Sequence, residues 1–298
     1  MKWKEITIKV NKMAQEAITN IIKELGAQGV VLEENHSNQN TTNIITYYPA
    51  NKNFSEFYST LQSRIDNLNK YNIDTAEVEY KIQEKDEKEW STSWHKYFHA
   101  INIGDNFTVC PDWENNQDDK RYIIKIKPGR AFGIGGHEST SLALENLEYI
   151  LDKYFDNYKN VNMLDIGTGT GILSIAAAKM GLEDIISFDK EEAAVEAARI
   201  NLKLNEVNDI IKIKKCDLKN GLDNKPKFNI VIANLLPDLI IDFLPEMNQY
   251  LKKEGYLILS GIIEKKRSRI VSLSNKLNLN VIKEKKENNW ISLVLKRG

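Results

Sequence analysis

Closely spaced glycines between two apolar segments constrain the fold of this chain more than any other feature. The segment 161–166 reads Val-Asn-Met-Leu-Asp-Ile, glycines follow at positions 167, 169 and 171, and a second apolar segment covers 172–180. The first segment predicts a buried strand and the second a helix. Because glycine has no Cβ, the backbone between them can turn tightly and admit a ligand. The sequence therefore predicts a strand, a binding loop and a helix in direct succession.

Strands and helices alternate along the last two thirds of the chain. Short apolar runs predict the strands, and apolar residues three or four positions apart predict the helices. In chain order we predict strands at 107–110 and 122–126, a helix at 139–151, a strand at 161–166, a helix at 172–180, a strand at 184–189, a helix at 191–204, and strands at 211–214, 230–234, 255–261 and 290–296. This alternation is typical of an α/β protein with a doubly wound, Rossmann-like parallel sheet.

The first 84 residues follow a different pattern. Ile6, Ile8 and Val10 alternate with polar residues, which predicts a half-buried strand. We predict next a helix at 14–25, strands at 29–32 and 44–48, a helix at 54–68 and a strand at 73–82. This order is typical of a small α+β domain of the ferredoxin-like type, which we place at 1–84. A charged run and an aromatic cluster follow, so we predict a linker helix at 85–100 and a second domain at 101–298.

The charge balance argues against nucleic-acid binding. The chain carries 41 Lys and Arg residues against 42 Asp and Glu residues, for a formal net charge of -1. Proteins that bind phosphate backbones normally carry a basic excess, which is missing here. We therefore expect no direct contact with nucleic acid.

The cysteines, the histidines and the amino terminus predict a cytoplasmic protein. Cys110 and Cys216 lie far apart and form no CxxC pair, and the four histidines show no metal-ligand spacing. So few thiols fit a reducing compartment better than a disulfide framework. The first residues include no apolar leader, and no uncharged apolar run approaches the roughly 20 residues of a membrane span. We expect no metal ion and no membrane segment.

Three aspartates lie at or shortly after the ends of predicted strands. Asp165 precedes the glycines, whose G-x-G-x-G spacing differs from the G-x-G-x-x-G of dinucleotide-binding proteins. Asp189 ends the next strand, where it can accept hydrogen bonds from two ribose hydroxyls or can cap the following helix. Asp217 ends a later segment, where it either contacts an adenine amino group or belongs to a turn. The spacing argues against a nicotinamide cofactor.

A carboxamide ends the predicted strand at 230–234. Asn234 is followed by Leu235, Leu236 and Pro237, and proline suits the first turn of a helix. The position is at the carboxyl edge of the sheet, where doubly wound folds bind ligands. Asn234 therefore either takes part in catalysis or caps the following helix.

These motifs resemble those of a known enzyme family. The sequences at 165–171 and 233–236, together with Asp189, are similar to the motifs of class I methyltransferases. The segment 128–140 reads Pro-Gly-Arg-Ala-Phe-Gly-Ile-Gly-Gly-His-Glu-Ser-Thr and is similar to the signature of the ribosomal protein L11 methyltransferases, the PrmA-type enzymes. The similarity extends to Trp3, the turn at 26–30, the cluster at 90–98 and the segment 259–262, and so covers essentially the whole chain.

The resemblance implies a class I methyltransferase domain that uses S-adenosylmethionine and acts on ribosomal protein L11. It implies methylation of lysine side chains and of the N-terminal α-amine, after capture of the substrate by the first domain. We expect a monomer. The catalytic residues are expected to be Asn234 and Leu235. The cofactor-binding residues are expected to be Phe132, Thr140, Asp165, Gly167, Thr168, Gly169, Gly171, Asp189, Asp217 and Asn234.

The expected chemistry needs a neutral amine that is held in line with the methyl group. A lysine in water has a pKa of about 10.4, and desolvation in a closed apolar pocket favours its neutral form, so no strong base is obligatory. We predict that the Asn234 oxygen and neighbouring backbone carbonyls accept the amine hydrogens. His137 either fixes the signature loop through a hydrogen bond or acts as a general base. Gly133, Gly135 and Gly136 predict a segment that closes over the cofactor.

Other functions stay open at the level of sequence. The chain could methylate glutamine, arginine or a small-molecule amine, or it could keep the fold and act as a non-catalytic protein adaptor. A nicotinamide dehydrogenase is a third alternative, which the glycine spacing disfavours.

Overall fold

The chain divides into two compact units, which cover residues 1–98 and 99–298. A computed structural model describes residues 2–34, 40–50, 53–71, 74–86, 99–114, 121–127 and 137–298. Phe132, the predicted closing segment and residues 87–98 of the predicted linker helix lie outside the described residues. Residues 85 and 86, which we assigned to that linker, belong instead to a strand of the first unit.

The first unit is a four-stranded antiparallel sheet with two helices. Its elements in chain order are β1 (Lys2–Asn11), α1 (Gln15–Glu24), β2 (Gln28–Glu34), β3 (Thr41–Pro49), α2 (Phe54–Asp66) and β4 (Glu79–Asp86). The strand order is β2-β3-β1-β4. Ile6, Ile8 and Val10 are buried with apolar residues of both helices, because alternate residues of β1 point to the same face. The name ferredoxin-like stays a prediction.

The strand that we predicted at 73–82 begins later, at Glu79. A turn occupies the residues before it: the Asp74 carboxylate accepts the Ala76 N–H at 2.9 Å, and the Asn11 N–H donates to the Thr75 carbonyl at 3.1 Å. Apolar residues in this stretch suggested a strand, but local side-chain bonds of this kind compete with strand pairing.

The second unit is built around a seven-stranded sheet. Its strands are β8 (Asn162–Ile166), β9 (Asp184–Asp189), β10 (Ile211–Lys215), β11 (Phe228–Asn234), β12 (Leu251–Ile263), β13 (Leu279–Glu287) and β14 (Trp290–Arg297). The order is β10-β9-β8-β11-β12-β14-β13, and only the pairings of β14 are antiparallel. The mixed α/β class and the Rossmann-like sheet that we predicted are confirmed.

Helices cover both faces of this sheet. They are α3 (Glu138–Tyr154), α4 (Ile172–Lys179), α5 (Glu192–Leu204), α6 (Pro237–Gln249) and α7 (Glu264–Lys276). Residues of α3, α4 and α5 share one buried cluster with one face of the strands, and residues of α6 and α7 share a second cluster with the other face. A sheet that is buried on both faces has strands that read as continuous apolar runs, which is why 230–233 and 257–259 carried such a clear signal.

A small three-stranded sheet precedes α3. It consists of β5 (Ile101–Ile103), β6 (Phe107–Pro111) and β7 (Tyr122–Ile126), in the order β5-β6-β7. We predicted β6 and β7 but not β5. Among the helices of the described residues, none is long and apolar enough to cross a membrane.

Candidate functional site

The site lies where the order of the large sheet reverses direction. Strand β8 pairs with β9 on one side and with β11 on the other, and Ile166 lies opposite both Phe188 and Ala233. The residues that follow Ile166 and Ala233 therefore leave the sheet at the same carboxyl edge. In doubly wound folds this edge forms the ligand crevice.

The glycine loop follows β8 and makes a tight, left-handed turn into α4. Gly167, Gly169 and Gly171 have φ values of +70°, +57° and +83°, which side chains with a Cβ rarely adopt. The N–H groups of Gly167 and Thr168 donate to the Phe188 carbonyl at 2.9 and 3.1 Å. The loop is therefore hydrogen-bonded to the end of β9. Strand, loop and helix follow one another directly, as the sequence predicted.

Asp165 lies beneath this loop and is completely buried. Its Oδ2 accepts hydrogen bonds from the hydroxyls of Thr168 and Ser174, each at 2.7 Å, and Ser174 also shares a hydrogen bond with Ser187. Its Oδ1 is buried with no hydrogen-bond partner among the described residues. Burial raises the pKa of the Asp165 carboxyl to about 6, although the two hydroxyl donors oppose that shift.

Asp189 connects the end of β9 to the glycine loop. Its Oδ2 accepts the Gly169 N–H at 3.0 Å and its Oδ1 accepts the Glu191 N–H at 3.0 Å. A carboxylate has about four acceptor positions, so each oxygen keeps capacity for a further donor. Asp189 does not cap α5, because the N-cap residue is Glu191, which has no side-chain cap bond. Its bond to the Glu191 N–H belongs to the turn before the helix, and the ribose role stays a prediction.

Asp217 lies at the neighbouring strand end. β10 pairs with β9 up to Lys215 opposite Asp189, and the Cys216 N–H donates to the Asp189 carbonyl at 2.9 Å. The Asp217 carboxylate accepts the Lys219 N–H at 3.0 Å, which is a turn contact. The turn role is therefore present, and the half-buried carboxylate lies one strand beyond Asp189.

Asn234 does not cap the helix that follows it. Leu236 is the N-cap residue of α6, without a side-chain cap bond, and Pro237 stands in the first turn as predicted. Instead, the Asn234 Nδ2 donates to the Thr140 Oγ1 at 3.3 Å. This bond fixes which way the amide faces, and among the described residues the Oδ1 makes no hydrogen bond. The side chain thus presents an acceptor atom at the carboxyl edge.

Leu235 follows Asn234 at the end of β11, and its side chain contacts the glycine loop. A Cβ added to Gly167 would lie 2.5 Å from the Leu235 Cδ2, so the leucine side chain packs directly on the glycine loop. Thr140, which we predicted as a cofactor residue, is fully buried at the start of α3. The structure therefore brings together Thr140, the glycine loop, Asn234 and Leu235.

His137 has a structural role in the described residues. It is the N-cap of α3, and its Nδ1 accepts the Ser139 N–H at 3.2 Å and lies 2.9 Å from the Ser139 hydroxyl. Its ring also meets the ring of Trp290 edge-on, with centroids 4.7 Å apart. These contacts use the Nδ1 and hold the start of α3. The choice between a loop-fixing hydrogen bond and a general base stays a prediction.

Sequence reasoning missed two asparagines that support the site. The Asn201 Nδ2 donates to the Thr170 carbonyl of the glycine loop at 2.9 Å, and its Oδ1 accepts the Lys127 N–H at 2.9 Å. Four residues later, Asn205 accepts the Lys125 N–H and donates to the Lys125 carbonyl. Both are buried, and a polar residue at spacing four on the apolar face of a helix was the available signal.

In the part of the chain that the structure describes, no three His, Cys, Asp or Glu residues are grouped so as to hold a metal ion. The site fits a cationic nucleoside better. Asp165 supplies a buried carboxylate oxygen without a partner, Asp189 keeps acceptor capacity, and the glycines leave the backbone accessible.

The chain is similar over its whole length to proteins of one described family. A family model described as "Ribosomal protein L11 methyltransferase (PrmA)" matches residues 2–298. Proteins named ribosomal protein L11 methyltransferase from Caldicellulosiruptor saccharolyticus and Bacillus subtilis are 37% and 33% identical, and each comparison covers 100% of both chains. A crystal structure of a ribosomal protein L11 methylase from Lactobacillus delbrueckii subsp. bulgaricus is 30% identical, covers 67% of this chain and 99% of that one, and has a TM-score of 0.61.

Proposed function

The chain belongs to the ribosomal protein L11 methyltransferase family, and on this premise we propose that it methylates lysine side chains and the N-terminal α-amine of ribosomal protein L11. The methyl donor is S-adenosylmethionine, which supplies a methyl group activated by the positive charge on its sulfur. The observation that carries the proposal is the oriented amide of Asn234, which lies beside the glycine loop with its oxygen open.

The cofactor contacts follow from the acceptors and backbone groups at the crevice. Asp189 would accept from the ribose hydroxyls, and Asp217 would accept from the adenine amino group. Asp165 lies below the loop and would offset the positive charge of the cofactor. Gly167, Thr168, Gly169 and Gly171 would form the backbone against which the cofactor rests, and Thr140 would support the site through its bond to Asn234. Phe132 belongs to the same pocket by family resemblance.

The acceptor amine is positioned by oxygens rather than by a base. The Asn234 Oδ1 and the Leu235 carbonyl would accept its hydrogens and so direct its lone pair toward the methyl group that the cofactor supplies. Burial of the amine favours its neutral form, which is the nucleophile. His137 holds the start of α3, and through it Thr140, which in turn orients Asn234.

Recognition of the protein substrate belongs to the first unit in this proposal. The family resemblance assigns capture of the ribosomal protein to the small domain that precedes the catalytic one. Cytoplasmic location is part of the same proposal, and it agrees with the two free thiols of Cys110 and Cys216.

The function is tested by transfer of labelled methyl groups from S-adenosylmethionine to purified ribosomal protein L11. Removal of the Asn234 amide in N234A leaves the amine unaligned, so we expect kcat to fall by about 100-fold or more, with cofactor affinity changed much less. The exposed Asn208, changed in N208A, is the matched control and should keep wild-type turnover.

Three outcomes contradict parts of the proposal. Wild-type protein that labels a small-molecule amine but not the ribosomal protein assigns another substrate. Binding of the ribosomal protein without any transfer supports the adaptor alternative. Wild-type turnover in N234A removes Asn234 from the mechanism.

A further inference from the structure

Strand β12 changes its pairing beside the catalytic turn. Leu259 lies opposite Leu293 of β14, whereas Ile262 lies opposite Ile291, so Ser260 and Gly261 together face one residue of the partner strand. This is a β-bulge, a feature that bends a strand and redirects its groups and that is common beside active sites. Here the bulge lies in register with Asn234, which pairs with Ser260 on the other side of β12.

Gly261 lies against the two oxygens that we assign to the acceptor amine. Its φ of +84° is in the left-handed region, and a Cβ added to it would lie 3.1 Å from the Asn234 Oδ1 and far inside contact distance of the Leu235 carbonyl oxygen. A Cβ cannot occupy that position unless the backbone of the turn moves. The absence of a side chain at position 261 therefore sets where both oxygens stand.

Ser260 holds the same turn from the other direction. Its carbonyl accepts the Leu235 N–H at 3.2 Å, and its hydroxyl donates to the Ser139 carbonyl at 2.6 Å. Ser139 precedes Thr140, whose hydroxyl accepts from the Asn234 amide. Ser260 is fully buried, so its bonds to α3 and to the turn are shielded from water.

We propose that Ser260 and Gly261 are positioning residues for methyl transfer, which set the distance and direction of the Asn234 and Leu235 oxygens toward the acceptor amine. This inference rests on the proposed function and deepens it. Both residues act through the turn at 234–235, to which Ser260 is hydrogen-bonded and against which Gly261 packs. Their loss should therefore lower turnover and change the number of methyl groups added per amine, while cofactor affinity stays close to that of the wild type.

Methyl transfer to ribosomal protein L11 by the full-length G261A protein tests the inference. We expect kcat to fall by about tenfold or more, since small displacements of reacting groups are costly. The Kd for S-adenosylmethionine, measured by calorimetry, should stay within about threefold of wild type because the glycine loop keeps its own bonds. Mass spectrometry should show fewer methyl groups per modified amine.

Gly181 provides the matched control. It has a φ of +109° in the same unit, but a Cβ there would meet only the Tyr158 ring at the ordinary distance of 3.4 Å. G181A therefore introduces backbone strain without contact to the turn, and it should keep wild-type turnover and products. If G261A is too unstable to assay, S260A decides the question, because it removes only the bond to the Ser139 carbonyl.

The outcomes are distinct. Loss of turnover in G261A or S260A with cofactor affinity retained, and not in G181A, supports the inference. An active wild-type protein with G261A and S260A equal to G181A in kcat and in products overturns the inference and leaves the proposed function standing. A wild-type protein that transfers no methyl group to the ribosomal protein overturns both.

Discussion

At the scale of the residue, Asp165 is fully buried, and one of its carboxylate oxygens has no hydrogen-bond partner among the described residues. Burial raises the pKa of Asp165 to about 6, well above the ordinary range of an aspartate, so folding favours its protonated form. The protonated carboxyl adds to the free energy of unfolding at pH values below the pKa that Asp165 has in the unfolded chain. This contribution is lost as the pH rises through about 6, the pKa in the folded protein. Above that pH the site holds a buried negative charge, which a cationic ligand can offset.

Cofactor affinity should therefore depend on pH through Asp165. Because S-adenosylmethionine carries a positive charge on its sulfur, we expect it to bind more tightly when Asp165 is ionised. Its Kd should therefore fall by about tenfold between pH 5 and pH 7. In D165N the pH dependence should disappear, and binding at pH 7 should be weaker than in the wild type. Calorimetry at both pH values measures this. Equal pH slopes in the two proteins would contradict the role of Asp165.

At the scale of elements, side chains of helix α5 supply hydrogen-bond partners for the backbone at the outer strand of the small sheet. Strand β7 pairs with β6 on one edge, and on the other edge Asn201 and Asn205 bond to the backbone of Lys125 and Lys127. Asn201 also bonds to the glycine loop at Thr170. Asn201 thus connects the small sheet to the glycine loop, whereas Asn205 bonds to the small sheet and to the Asn201 carbonyl.

Alanine substitutions should distinguish the roles of Asn201 and Asn205. N205A leaves the Lys125 N–H and carbonyl without partners, so we expect the free energy of unfolding to fall by about 2–4 kcal/mol, with cofactor affinity retained. N201A should lower stability similarly and also weaken cofactor binding, because it releases the Thr170 carbonyl. The exposed N208A should change stability by less than about 0.5 kcal/mol. Denaturant unfolding and calorimetry measure these quantities, and equal cofactor affinities in N201A and N205A would argue against the tie to the loop.

Elements with weak apolar patterns were missed in the sequence. Helix α7 buries only Ile270 and Ser274, and β13 is an edge strand with an unbroken run of charged residues from Lys283 to Glu287. Charged edge strands prevent unwanted pairing between sheets, but they lack the alternation of apolar residues that identifies a strand. The strands β8, β9 and β11, which are buried on both faces, were predicted within one or two residues.

At the scale of the whole molecule, the two units should respond to different ligands. Hydrogen exchange of the full-length protein measures this directly. We expect ribosomal protein L11 to protect backbone amides in residues 2–86, and S-adenosylmethionine to protect those at 167–171, because each ligand orders the groups that it contacts. Protection by the ribosomal protein in the second unit alone would contradict capture by the first.

Part of this site could be predicted from the sequence, because it depends on residues that are close together in the chain. The glycine loop, Asp189 and Asn234 each belong to a continuous segment whose strand, turn and polar residue are visible together, and the structure places them at one sheet edge. Asp165 was also visible, but its buried, unpartnered oxygen was not. Burial depends on Ser174, Ser187 and the strands on either side.

The sequence by itself determined the α/β class, the crevice-forming loop and the identity of the groups that end its strands, because periodicity and turn chemistry act between near neighbours. Tertiary structure alone decided how those groups are aimed. Thr140 and Asn234, or Ser139 and Ser260, are about a hundred residues apart and meet only when α3 packs against the sheet. Gly261 becomes important for the same reason, since only the folded backbone brings the Asn234 and Leu235 oxygens against it.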